Sequence, residues 1–278
     1  MILKIERWDM LQHKVTILIP NYKTLDLTKL CLRLLRKYTD LNQAKIIVID
    51  NDSQDDSLAY LQTLDWITLI ERKSNPSESP ACAHSAALDL ALEIVTTPYV
   101  LSIHTDTLVK HNNWLPFLLS QIGKSPNIAG VGSWKLESKP LLRRILKNME
   151  FKLQQFYYTL IGKTQHGLQG IGKNYYYLRS HCALYRTDLL KKYNLSFSLG
   201  DMTAGKALHK SLIDQGHDMV FLPAEILLQY VEHINHATTV LNPNLSTREK
   251  SVIKGKKRIE KSLNRLNAKG ILQDTSLD

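Results

Sequence analysis

Cysteine is scarce in this 278-residue chain, and Cys31, Cys82 and Cys182 stand far apart. They form no Cys-x-x-Cys pair and no zinc spacing, so reduced thiols of a cytosolic protein are the expectation. Long apolar runs are also missing. None approaches the roughly 18–20 residues that cross a bilayer, so no integral span is expected. The opening stretch MILKIERWDMLQHK is too charged to hold the apolar core of a secretory signal, and none is expected. No Gly-x-Gly-x-x-Gly follows a predicted strand, which disfavours a dinucleotide oxidoreductase. There is no internal repeat and no long low-complexity linker. Acidic residues are outnumbered, 26 against 36 Lys and Arg, for a formal charge of +10. With 44% apolar and 22% charged residues, the balance is that of a folded globular protein. The length fits one large domain or two small ones.

The apolar residues form a repeating pattern. Val15–Ile19 is a continuous β-branched run stopped by Pro20, which reads as a strand buried on both faces. Thr24 follows as a candidate N-cap, and Leu27, Leu30, Cys31, Leu34, Leu35 and Tyr38 recur at helical spacing. Further strands are predicted over Lys45–Asp50, Trp66–Ile70, Pro98–Ile103 and Ile128–Trp134. Helices are predicted over Ser57–Leu64, Ala81–Val95 and Asn112–Ile122. This alternation with short connections predicts an α/β fold, with a mostly parallel central sheet flanked by helices. In such sheets, ligands bind beyond the carboxyl ends of the strands.

Beyond Trp134 the pattern changes. Leu142, Ile145, Leu146, Met149, Leu153, Phe156, Tyr157 and Leu160 trace one helical face, with Arg143, Arg144, Lys147 and Lys152 off it. Packing on the core is the default for such a helix, and a membrane surface is the alternative. A Gly-rich loop, a strand-like stretch over Tyr175–Tyr185, a helix over Ala204–Gln215 and a strand over Met219–Leu222 follow. The Arg248–Lys269 tail holds nine basic residues against Glu249 and Glu260, a net +7. It fits either a solvated helix or a contact with an anionic partner.

The predicted strand ends carry polar turn residues: Pro20-Asn21-Tyr22, Asp50-Asn51-Asp52-Ser53 and His104-Thr105-Asp106. Each alone is common turn chemistry. Together they would bring acidic groups into one crevice, where they repel unless a cation or ligand donors compensate. That points to a nucleotide site with a divalent metal, Mn or Mg, on the phosphates.

The segments VTILIPNYK, IIVIDNDSQDDS and YVLSIHTDTLV resemble the nucleotide-binding half of family-2 glycosyltransferases, which have the GT-A fold. The resemblance covers about Val15 to Val240. It implies an inverting transferase that moves a sugar from a nucleotide-diphosphate-sugar to a hydroxyl of a glycan or lipid-linked acceptor. Asp50 would accept a hydrogen bond from the donor's base, with Pro20, Asn21 and Tyr22 lining the pocket and Asn51, Asp52 and Ser53 beside it. Ser79 and His84 fall in a segment that meets the nucleotide, together with His104, Thr105 and Asp106. Asp106 would hold the metal. His104 departs from the family's two-aspartate pattern and could ligate metal or bond a ribose or phosphate. Asp201 matches the catalytic base, with Asp214 and Asp218 as rivals. His233 matches a late histidine near the metal, with His236 as fallback.

The same resemblance divides the chain into a nucleotide-sugar-binding half (1–134), an acceptor-binding and catalytic half of the same domain (135–240) and a basic helical extension (241–278). It also fits a cytoplasmic enzyme at the inner membrane face, in polysaccharide or glycolipid biosynthesis, with the basic tail on anionic lipid. A nucleotide-sugar-binding pseudoenzyme is the alternative, and a basic nucleic-acid-binding protein is a less favoured one. The acidic strand ends count against a nucleic-acid partner, and none is expected. Gly167-x-x-x-x-Gly172-Lys173 nearly matches a phosphate-binding loop. It lacks the preceding strand and the Ser/Thr that such a loop needs.

Overall fold

The computed structural model describes residues 13–75, 77–137, 141–160, 170, 172–201, 203–234, 237, 240 and 249–278. In chain order the elements are β1 (Val15–Asn21), α1 (Leu25–Tyr38), β2 (Ala44–Asn51), α2 (Asp56–Leu61), β3 (Thr68–Arg72), α3 (Pro80–Leu92), β4 (Tyr99–Ile103), β5 (Thr107–Val109), α4 (Trp114–Ile122) and β6 (Ile128–Gly132). They continue with α5 (Leu141–Leu160), β7 (Cys182–Arg186), α6 (Thr187–Lys192), α7 (Lys206–Asp214), β8 (Asp218–Phe221), α8 (Ala224–Leu227), β9 (Val231–His233), α9 (Glu249–Arg265) and α10 (Ala268–Gln273).

Seven strands form the central sheet in the order β3-β2-β1-β4-β7-β6-β8, and β5 pairs with β9 in a small antiparallel ribbon. Only β7 runs against its neighbours. The sheet is therefore the mostly parallel α/β layer that the strand–helix alternation predicts. Strand residues alternate between two cores. Ile17, Ile46 and Val48 face the core shared with α1 and α4, whereas Leu18, Ile47 and Ile49 face the core shared with α3 and α7. Burial on both faces is why these strands read as unbroken apolar runs.

Three expectations are corrected. β3 starts two residues later than Trp66, at Thr68. The strand-like stretch over Tyr175–Tyr185 is a strand only from Cys182. Before that, the backbone bonds outside any ladder: Arg179 N donates to Ser133 O and Leu178 N to His209 Nδ1. Thr24 occupies the N-cap position of α1 without a side-chain cap bond. Instead Thr28 Oγ1 donates back to Thr24 O and to Asn21 Oδ1.

The basic C-terminal segment is helical and rests on the body. Ile259, Ala268 and Ile271 enter the α1 core. Buried Arg33 of α1 grips the Asp278 carboxylate through Nε (2.8 Å) and a terminal nitrogen. Glu232 of β9 accepts from Arg265 (2.9 Å) and Ser262 (3.2 Å) of α9, and Lys110 Nζ stands 3.5 Å away. The α5 helix differs: Leu146, Met149, Leu153, Phe156, Tyr157 and Leu160 are 56–69% exposed. No described helix is long and apolar enough to cross a membrane.

Candidate active site

Parallel strands deliver their carboxyl ends to one edge of the sheet. β7, running the other way, brings the residues before it, Ser180 and His181, to that same edge beside Ile103 of β4. A cavity of about 700 Å³ lies there. Its walls include Pro20, Asn21 and Tyr22 after β1, Asn51 after β2, and Pro80, Ala81 and His84 at the start of α3. Trp134 and Lys135 after β6, and Tyr177 and Arg179 before β7, close another side. The floor carries His104, Thr105, Asp106, Ser180, His181 and His233.

Of the residues expected to meet a nucleotide-sugar, Pro20, Asn21, Tyr22, Asn51, His84, His104, Thr105 and Asp106 line this cavity. Asp50, Asp52, Ser53 and Ser79 do not. Asp50 is 2% exposed, and both its oxygens are taken inside the protein. Asn21 Nδ2 donates to Oδ1 (2.8 Å) and Ser53 N to Oδ2 (3.0 Å). The same Asn21 amide also reaches Ser53 Oγ (3.1 Å) and Ser57 Oγ (2.9 Å). Asp52 sits on a left-handed turn (φ 62°), where Gln54 and Ser74 donate to it and hold it below the usual carboxylate range. Ser79 caps α3 by accepting from Cys82 N.

Asp201 ends a 3-10 turn (Leu199–Asp201), two residues before Thr203 and Ala204 of the cavity wall. Its side chain lies outside the described part, as does His236. The rival carboxylates lie elsewhere. Asp214 is exposed and paired with Lys210. Asp218 opens β8 at the opposite edge of the sheet and accepts from Asn127. In the glycine-rich segment, residues 161–169 and 171 lie outside the described residues. Gly172–Asn174 form a 3-10 turn rather than the start of an α-helix.

The pairing of β5 with β9 sets Thr107 opposite His233, and Ile234 N donates to Asp106 O. This brings His233 against Asp106 across 126 residues of chain. One donor atom each from His104, Asp106 and His233 lie within 4.8 Å of one another. Asp106 Oδ1 stands 3.5 Å from His233 Nε2 and 3.8 Å from His104 Nδ1, contacts that are electrostatic rather than formed hydrogen bonds. Asp106 Oδ1 and His233 Nδ1 are buried and have no hydrogen-bond partner among the described residues. Among the described residues, Asp106 Oδ2 accepts a long bond from Ala237 N, 3.3 Å.

Burial works to raise the Asp106 pKa. The His233 and His104 imidazoles and the Ala237 N–H outweigh it, and the carboxyl is held below its ordinary value. Burial drives the His104 and His181 imidazoles well below theirs, and His84 down to about 4. At neutral pH the His104, His181 and His84 rings are therefore neutral, with available lone pairs, beside the Asp106 carboxylate. That donor set, with a buried carboxylate oxygen left unanswered, fits a divalent cation.

Sequence reasoning did not single out Ser180, His181 or Ser133. Ser180 Oγ lies 3.0 Å from His104 Nε2 and 3.1 Å from His84 Nε2. Ser133 Oγ lies 3.0 Å from His181 Nε2, and the His181 ring stacks on His233 with centroids 4.7 Å apart. The only available signal was the adjacency of Ser180-His181 to a short apolar run, and nothing in it shows which edge of the sheet they reach.

Two solved structures share this fold. The mannosyltransferase PcManGT from Pyrobaculum calidifontis, in complex with GDP-Man and Mn2+, matches with a TM-score of 0.53 at 15% identity, over 98% of this chain and 74% of that one. S. aureus TarS, residues 1–349, matches with a TM-score of 0.50 at 15% identity, over 75% of this chain and 58% of that one. No curated protein matches in sequence. The model of glycosyl transferase family 2 matches residues 16–194, more than half of the chain, and the chain belongs to that family.

Proposed function

We propose that this protein transfers a sugar from a nucleotide-diphosphate-sugar to a hydroxyl of a glycan or lipid-linked acceptor, with inversion at the anomeric carbon. The observation that carries the reading is the unanswered Asp106 oxygen on the cavity floor, flanked by His104 and His233. A divalent cation, Mn or Mg, held by these three residues would supply charge neutralisation to the departing diphosphate.

The remaining steps fall to the chain itself. The donor's nucleoside lies along Pro20, Tyr22 and Asn51, and its phosphates reach toward the floor. Arg179 adds positive charge to the rim. Asp50 holds the Asn21 amide in place and so shapes the pocket from behind. Asp201 is the base: its carboxylate takes the proton from the acceptor hydroxyl as that oxygen attacks the anomeric carbon and the bond to the diphosphate breaks. Holding both reactants in line converts a bimolecular encounter into a positioned one.

The acceptor side adjoins α5, since the chain leaves the cavity at Trp134–Glu137 and returns at Tyr177. The exposed apolar stripe of α5, with four basic residues on the helix against Glu150, suits an anionic lipid surface. The +7 tail adds to that attraction. This favours a lipid-linked or surface-polysaccharide acceptor at the inner membrane face.

The test is a thermal-shift screen of nucleoside diphosphates and nucleotide sugars with and without Mn2+, followed by a transfer assay on the ligand that stabilises. One donor class should raise the melting temperature, and Asp201→Asn should keep that shift while losing turnover. Stabilisation with no transfer or donor hydrolysis under any acceptor would make the protein a binding module. No stabilisation by any nucleotide would remove the reading. For the membrane contact, Phe156→Glu should abolish sedimentation with anionic liposomes.

A further inference from the structure

A histidine at position 104 changes which cations the floor can prefer. The protein offers two imidazole nitrogens and one carboxylate oxygen there, within 4.8 Å of one another. Magnesium is small and hard, takes oxygen ligands and gives up its waters reluctantly. Imidazole suits the later divalent first-row metals, whose affinity for nitrogen sites rises from Mn2+ through Co2+. A single carboxylate also exerts less pull on a hard cation than two would.

The ring of His104 is held for this task. Its Nδ1 is the nitrogen nearest Asp106 Oδ1, at 3.8 Å. Its Nε2 lies 3.0 Å from Ser180 Oγ, which also lies 3.1 Å from His84 Nε2. A hydroxyl has one hydrogen to give. Two arrangements satisfy all three groups, and the one that leaves His104 able to ligate a cation has its Nε2–H donating to Ser180 Oγ and the Ser180 O–H donating to His84 Nε2. The lone pair of His104 is then on Nδ1, facing Asp106. A hydrogen bond to the far nitrogen is how a ligating imidazole is commonly fixed in tautomer and orientation.

We propose that His104 makes this a two-imidazole, one-carboxylate centre that selects a later first-row divalent cation over magnesium, with Ser180 as the positioning residue that keeps Nδ1 turned to the cation. The inference rests on reading Asp106 as part of a metal centre.

The experiment is calorimetric titration of the full-length protein with Co2+, Mn2+ and Mg2+ chlorides, without nucleotide, together with the visible spectrum of bound Co2+. Co2+ should bind the unaltered protein at least about tenfold more tightly than Mg2+. His104→Asp should narrow that ratio and change the Co2+ spectrum as a nitrogen ligand is replaced by oxygen. Ser180→Ala should weaken Co2+ about tenfold, and Ser180→Thr, which keeps the hydroxyl, should restore it. Equal Co2+ and Mg2+ affinities in the unaltered protein overturn the selectivity, a result that needs no variant to fold. An unchanged ratio in a folded His104→Asp protein overturns it too. Unchanged affinity and spectrum in Ser180→Ala overturn the positioning role. If no cation binds, or Asp106→Asn binds as well as the unaltered protein, the metal centre itself is lost, a failure distinct from wrong selectivity.

Discussion

Asp50 and Asp106 are both nearly sealed carboxylates that follow or end a strand at the same edge of the sheet, yet they differ in what answers their charge. Asp50 accepts from the Asn21 amide and the Ser53 N–H, so each oxygen has a partner inside the protein. Asp106 has one long backbone bond and a buried oxygen with none among the described residues. A buried carboxylate with every oxygen bonded holds a fold together. One left short of partners is costly unless a ligand completes it. The first organises the β1 and β2 ends of the cavity, and the second, with His104 and His233, could hold a divalent cation.

The sharpest way to break this contrast is Asp106→Asn. Turnover should fall by about 10³-fold, the scale of losing a group that stabilises transition-state charge. In metal-free buffer the melting temperature should hold or rise, because an unanswered buried charge has gone. A drop of several degrees there would make Asp106 a second Asp50. Next is Asp50→Ala, which leaves the buried Ser53 N–H without its acceptor, removes one acceptor of the Asn21 amide and should cost about 2–3 kcal/mol in denaturant unfolding. If this variant unfolds like the unaltered protein but loses nucleotide binding, Asp50 meets the donor's base directly and the contrast fails.

A smaller effect is expected from Glu232→Gln. It weakens the clasp from Arg265 and Lys110 that steadies the strand bearing His233. The Arg265 side chain is 58% exposed, so about 1 kcal/mol or less should be lost. A larger loss of metal affinity than of stability would show that the tail positions His233. The smallest effect concerns the layer beneath the centre. Cys31 lies 3.7 Å from Thr107 O, and burial, then the Asp106 charge, pushes its thiol far up. Burial pushes Cys182 up to about 12. Cys82 is exposed. A thiol reagent applied to the native protein should modify Cys82 alone by peptide mapping. Labelling at Cys31 would show that the floor under Asp106 opens.

The legible parts of the molecule are those where one local property decides the outcome. The runs at Val15–Ile19 and Lys45–Asp50 are continuous because both faces of the sheet are covered, and they read as strands from the chain alone. The turns that follow them announce polar groups at one edge, so Asp106, Asn21 and Tyr22 were nameable in advance. β5 and β9 were not legible. Three residues carry no periodicity, and the contact between Thr107 and His233 exists only once the whole domain has closed. Ser180 and His181 escaped for another reason: CALY is equally apolar read in either direction, so the antiparallel course of β7, which brings them to the cavity, leaves no trace in composition.

Alternation of apolar runs and helical spacings was enough to specify the layers, because burial depends on residue type at each position. It was not enough to tell which polar groups would turn inward to one another and which would face the cavity. Asn21 and Asp50 bond each other and their neighbours Ser53, Ser57 and Thr28, while one Asp106 oxygen has no partner among the described residues. That division follows from distances across the central sheet and the β5–β9 ribbon, and distance in space is the one quantity a linear order of residues does not contain.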